Sequence, residues 1–450
     1  MVAVAVAALP AAALATGGAA AAEQTAAEQT AAVRNLLAAR SAAVVSGDLR
    51  RWTATIEPSA GDFAARQDAL FATLTGLPHA SWTYRYAGRG PALPPSRARE
   101  LGDGAFIAKV RLSYRLAGVD SVEVRRDHSV TLARHGEQWL IADEDDAGKL
   151  GRQVVDPWDL GEVDVVKGRS SLVLTRPGSA GLSGSHLAGL ADRAVEQVQE
   201  LWPGPWPGQV VVIVPADVAE MARLVHDGGA LSDVAGLGQL AAVTTGQPTG
   251  EAGGTTTGNR IVVNPTVFAG LTETGRQVVL THEATHVATR TLGGAPVPSW
   301  LSEGFADYVA YRATEIGVQQ VAGDVLAQVR AGGGPVRLPA EVDFDASRGP
   351  VSGSYALAWL AVRHIAQAYG QSRLVEFYLA AATGRPGDPA GATDAALGEA
   401  LGISAEQFHL GWRRAVADLA AVSGSETAVS ESVSLRAAVP VPASGMELAR

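Results

Sequence analysis

The sequence predicts an α+β chain in two parts. A small domain of two helices and an antiparallel sheet covers residues 26–150. A larger one over 165–420 places a mixed sheet first, then a long helix, then a helical subdomain. Three observations predict this. At 450 residues the chain exceeds one typical domain. Period-two alternation fills residues 81–144 after two helical patterns. Past "NRIVVNP" the spacing of apolar residues turns helical almost to residue 420.

The elements follow in order. A helical pattern runs from Thr25 to Ser46 and is interrupted at Gly47-Asp48. Phe63, Leu70, Phe71 and Leu74 give a second amphipathic helix. Four alternating runs come next, "SWTYRYAG", "AFIAKVRLSYRL", "SVEVRRDHSVTLAR" and "EQWLIADE", with turn signals at Gly118–Asp120 and His135-Gly136. Two helices before a four-stranded meander resemble the cone-shaped fold of the nuclear transport factor two-like superfamily, which hosts both enzymes and inert modules. No acid–base pair stands out in this part, and His128 and His135 read as surface residues.

The acidic, turn-rich stretch "DEDDAGKLGRQVVDPWDLGEVDV" holds the domain boundary. Strands are then predicted at "SSLVLT", "QVVVIVP", "LAAVTTG" and "NRIVVNP", with helices at Leu182–Leu201 and Ala216–Val225 between them. Near the end, Ser404 and Gln407 form a capping box for a helix whose apolar face carries Phe408, Trp412 and Leu419. Residues 421–450 lack periodicity and read as a disordered tail.

Composition excludes several classes. The formal net charge is −10, so no basic face serves nucleic acid. Cysteine is absent, which rules out disulfides, thiolate metal sites and a cysteine nucleophile. Residues 1–22, "MVAVAVAALPAAALATGGAAAA", carry no charge and offer an A-x-A site at Ala20–Ala22. They read as a signal peptide, or as an uncleaved N-terminal anchor of just the length, about 20 residues, that spans a bilayer. The expected location is therefore secreted or in the cell envelope, and membrane contact is expected only through that segment.

Chemistry concentrates at "LTHEATHVATRTLG", residues 280–293. Thr274 and Gln277 suggest a capping box, neither Pro nor Gly interrupts Gln277–Leu292, and Gly293-Gly294 stop the helix. His282 and His286, four apart, share one helix face and can reach one metal ion. Glu283 lies about 100° round from His282, placed to meet a metal-bound water instead of ligating. Two histidines leave a zinc site short of a protein ligand. Thr289 and Leu292 stand where a metzincin completion needs Gly and His, and the inverted motif fails on order. "PSWLSEGFADYVAY" supplies Glu303, separated from His286 by residues 287–302, enough for a helix end, a turn and a new helix start. Pro298 and a Ser299 cap begin that helix. Asp307 follows one turn later, able to accept a proton-bearing nitrogen of a ligating histidine, and Gly304 leaves room for close helix approach.

HEATH followed by W-L-S-E-G-F-A-D-Y is similar to the gluzincin clan of zinc metallopeptidases, which includes thermolysin and the alanyl aminopeptidases. The resemblance implies a Zn²⁺ cofactor on His282, His286 and Glu303. It implies Glu283 as general base and acid for a zinc-bound water, and Asp307 orienting a ligating histidine. Clan members also use a donor for the oxyanion, commonly Tyr or His. "VSGSYALAWLAVRHIAQAYG" offers Tyr355 and His364 on opposite helix faces, and the position of Tyr355 resembles that of the clan's tyrosine. No Met occurs between 222 and 445, so the G-x-M-E-N strand of alanyl aminopeptidases is missing and an endopeptidase is favoured. "GNRIVVNP" is a candidate for pairing with an extended substrate.

The expected function is an exported zinc peptidase acting on peptide or protein substrates. The alternatives are a catalytically weak binding or envelope-assembly protein on the same scaffold, or small-ligand binding through the cone-like domain.

Overall fold

The computed structural model describes residues 12–148, 155–225, 240–248, 256–292, 297–333, 336–345, 348–383 and 388–422. It has mixed α+β architecture with one antiparallel and one mixed sheet. The chain divides into two units, Met1–Tyr114 with Arg125–Gln153, and Arg115–Val124 with Val154–Arg450.

In the first unit, helix α1 (Ala12–Ser46) precedes α2 (Leu49–Thr53) and α3 (Gly61–Gly76). The predicted break after Ser46 is real. Gly47 takes a left-handed φ of 65°, and the Asp48 carboxylate accepts the Arg51 N–H to start α2. Strand β1 (His79–Arg89), helix α4 (Pro95–Leu101), β2 (Phe106–Leu116), β3 (Val124–His135) and β4 (Gln138–Asp143) complete a meander in the order β1-β2-β3-β4. His135 pairs with Gln138 across a tight turn whose Gly136 has φ 62°. Alternation anticipated the strands, whereas α2 and α4 are too short to leave a periodic trace. Arg40 is buried here, its guanidinium 3.6 Å over the Trp52 ring and bonded to Thr55 at 3.1 Å and Glu144 at 3.0 Å. A buried charge so stacked and paired is satisfied. His135 is exposed and His128 half-buried.

Residues 1–11 of the predicted leader, and 423–450 of the predicted tail, lie outside the described residues; 12–22 form the start of α1. Among the described residues no helix is long and apolar enough to cross a membrane.

The second unit holds β5 (Asp164–Lys167), β6 (Ser171–Thr175), α5 (Gly184–Gln199), β7 (Val210–Val214), α6 (Val218–Val225), β8 (Ala242–Pro248) and β9 (Thr256–Val263). Their order is β5-β6-β7-β9-β8, parallel from β6 through β7 to β9 and antiparallel at both edges. The run Val210–Val214 is buried throughout, as a parallel strand covered on both faces requires. The last two residues of the acidic boundary stretch open β5, too short to declare a period. One sequence expectation is corrected. "GNRIVVNP" forms β9, an inner strand hydrogen-bonded on both sides, so it has no free edge for a substrate; the edge is β8.

After the sheet come helices α7 (Pro265–Ala269), α8 (Glu273–Thr289), α9 (Ser299–Arg312), α10 (Val318–Arg330), α11 (Ser352–Tyr369), α12 (Gln371–Ala382), α13 (Pro389–Ala396) and α14 (Ala405–Val422). One core joins Val212 and Ile261 of the sheet, Val279 and Ala284 of α8, Phe305 of α9 and Ala358 of α11. The Ser404–Gln407 capping box forms, with N–H bonds of 2.8 and 3.2 Å in opposite senses.

Candidate metal centre

Helix α8 is buried on every side from Val278 to Thr289, the mark of a core helix. Its cap is Thr272, whose hydroxyl accepts the Gly275 N–H at 3.1 Å. The expected Thr274–Gln277 box does not form: the Gln277 Oε1 it needs accepts from Arg193 Nε at 3.0 Å, while its amide nitrogen donates to the Leu190 carbonyl and the Thr281 hydroxyl. Gly293-Gly294, the expected stop, lie outside the described residues. Helix α9 follows Pro298 as predicted, but Ser299 is no cap. Its N–H and hydroxyl both donate to the Glu341 carboxylate, which satisfies that helix end from a distant turn.

The packing brings three ligand-type side chains together. His282 Nε2 and His286 Nε2 lie 3.0 Å apart, and Glu303 Oε2 sits 3.3 Å from the first and 3.4 Å from the second. All three residues are buried. An ion bound tetrahedrally at about 2.0–2.1 Å requires ligand atoms roughly 3.3–3.4 Å apart. The triangle matches that spacing. The fully buried Glu303 carboxylate is paired with the two imidazoles and, among the described residues, with no lysine or arginine. Such a charge is costly without a cation. These residues therefore fit a metal ion.

Around the triangle, Asp307 Oδ1 accepts from His282 Nδ1 at 2.8 Å. That bond fixes the ring so that Nε2 is the nitrogen turned toward the other two ligands. Burial would lower the His282 pKa, but the bonds to Asp307 and Glu303 raise it well above the ordinary imidazole value. Burial likewise opposes ionised Glu303, and the His286 charge and bonds to both histidines hold it down to about 2. For Asp307 burial prevails and its pKa is raised.

Tyr355, on α11, is buried with its ring centroid 6.4 Å from that of His282. Burial, then the charges of Glu303, Asp307 and Glu283, push its hydroxyl well above the usual range, so it stays a neutral donor. His364 packs against Gly411 and Phe408, as its place on the opposite helix face predicts. Glu283 is also buried; its Oε2 accepts from the Thr244 hydroxyl of β8 at 2.5 Å, and its Oε1 has no hydrogen-bond partner among the described residues.

The approach of α9 to α11 depends on Gly304. A Cβ there would stand 2.4 Å from the Ala358 carbonyl oxygen and 2.7 Å from its carbon. Backbone cannot yield cheaply, so Gly304→Ala should cost about 1–3 kcal/mol and lower the melting temperature by roughly 2–10 °C. An unchanged melting temperature would show that the two helices are not held this close.

Sequence reasoning found the triangle, Glu283, Asp307 and Tyr355. It missed Thr244, although a threonine at an inward-facing position of "LAAVTTG" is the kind of signal that could have found it. No family model, curated protein or solved structure matches the chain. What fold and geometry define is an α+β chain with a buried two-histidine, one-glutamate centre able to hold a metal ion.

Proposed function

We propose that this chain is an exported zinc-dependent peptidase of the gluzincin type, an endopeptidase acting on peptide or protein substrates. The observation that carries the reading is the triangle of His282, His286 and Glu303, with Asp307 on His282 Nδ1 and Glu283 following His282 on α8. The all-nitrogen and carboxylate ligand set suits Zn²⁺. When bound, zinc supplies Lewis acidity and brings the pKa of a coordinated water to near 7.

The chain's own groups do the rest. Glu283 Oε1 accepts the proton of the attacking water and returns it to the leaving amine. Asp307 keeps His282 in one tautomer and orientation. The neutral Tyr355 hydroxyl donates to the oxyanion as it develops. Among the described residues β8 is the outer strand of the sheet, where an extended peptide would add a further strand. The order of helices and meander in the first unit supports a nuclear transport factor two-like module that positions the peptidase or binds a partner. The uncharged first 22 residues support export.

One observation favours a second reading. His282, Glu283, His286 and Glu303 are each at most 3% exposed, so nothing the size of a peptide reaches them without an opening. A scaffold that keeps zinc for structure, in a binding or envelope-assembly role, would tolerate that burial. Metal analysis and hydrolysis of an unstructured protein distinguish the two. The peptidase should hold about one zinc per chain, lose hydrolysis on chelation and regain it on adding zinc. Zinc without any hydrolysis would select the scaffold, and absence of zinc binding would reject both.

A further inference from the structure

We infer that Thr244 is the positioning residue for Glu283, and that its hydroxyl determines which carboxylate oxygen serves as the base. The inference rests on the peptidase reading for its catalytic meaning; the hydrogen bond itself does not.

Thr244 sits on β8, paired with Ile261 of β9, and like Ile261 points toward the α8 side of the sheet. Its side chain is buried. A hydroxyl has one proton to donate. It lies 2.5 Å from Glu283 Oε2 and 3.2 Å from the Glu283 carbonyl, so the proton belongs to the carboxylate. The Thr244 carbonyl in turn accepts Arg290 Nη1 at 2.6 Å, just beyond the end of α8. The residue is thus tied to one helix at two points two turns apart. As a β-branched side chain it also has restricted χ1 freedom.

The consequence falls on Glu283. With Oε2 engaged, Oε1 is buried and has no hydrogen-bond partner among the described residues. A carboxylate held at one oxygen cannot rotate freely about its last bond, so the base presents the same lone pair at each turnover. The strand at the sheet edge, where a peptide would pair, is also the strand that orients the base. A change in β8 on substrate pairing would therefore reach Glu283 directly through one hydroxyl.

Thr244→Val keeps shape and removes the proton donor; Thr244→Ser keeps the donor. In the full zinc-loaded chain, Thr244→Val should lower kcat about 10- to 100-fold while KM and zinc content stay near wild type. Thr244→Ser should recover most of that loss, which a purely space-filling role would not explain. Wild-type kcat in Thr244→Val, or a serine variant as slow as the valine one, overturns the inference. A second readout needs no activity. Thermal unfolding of Thr244→Val, Glu283→Ala and the double variant should give midpoint shifts that are not additive. Additive shifts would also overturn it. Should Glu283→Gln leave hydrolysis intact, the peptidase reading falls, and the unfolding cycle still decides whether Thr244 holds Glu283.

Discussion

Glu283→Gln should bind zinc as the wild type does and hydrolyse an unstructured protein about 10²- to 10⁴-fold more slowly. The two halves of this result come from different features. Zinc retention follows because Glu283 is no member of the His282–His286–Glu303 triangle; its turn on α8 carries it toward β8 instead. The rate loss follows because a glutamine amide cannot take a proton from water. Glutamine fills the same space, and its amide oxygen can still accept the Thr244 hydroxyl, so the fold has no reason to change. Metal analysis beside single-turnover hydrolysis checks both halves. A variant that keeps its zinc and its full rate would remove Glu283 from the mechanism.

Glu303→Ala should weaken zinc binding by more than about 100-fold, since even loss of a group that only orients a ligand costs about 10- to 100-fold. Two features make the effect large. Glu303 is the sole anionic member of the triangle, and it is fully buried. What remains is a pair of imidazoles 3.0 Å apart, with Asp307 still engaged on the far nitrogen of His282. Competition against a chromophoric chelator measures the change, with near-ultraviolet circular dichroism confirming the core. Wild-type affinity in Glu303→Ala would mean that the third ligand lies elsewhere.

How much of this was legible in the sequence differs by element. The four strands of the first unit are visible because apolar and polar residues alternate along them in sequence, although β2, β3 and β4 also carry runs of consecutive buried residues. The buried strands β6 and β7 show as short apolar runs. Strand β5, at four residues, is shorter than any period needs, and its pairing with β6 leaves no local trace. Caps fail for a related reason. Thr272 and Thr274 are both plausible starts for α8, and Thr272 takes the cap while the Gln277 oxygen is engaged by Arg193. Ser299 loses its cap role to Glu341, a residue 42 positions away that local reasoning does not see.

By itself the sequence determined the ligand types and their spacing. His282 and His286 must share a face because a helix repeats every 3.6 residues, and Asp307 must lie one turn from Glu303 for the same reason. Those are local consequences of helix geometry, and no tertiary contact can change them. Only the tertiary structure decided that the two helices meet at all, through Gly304 against Ala358, and that Tyr355 turns inward while His364 turns away. It also decided that β8, not β9, is the sheet's edge, and that Thr244 reaches Glu283. The order of strands in a sheet depends on packing between segments far apart in sequence, and no period along the chain records it.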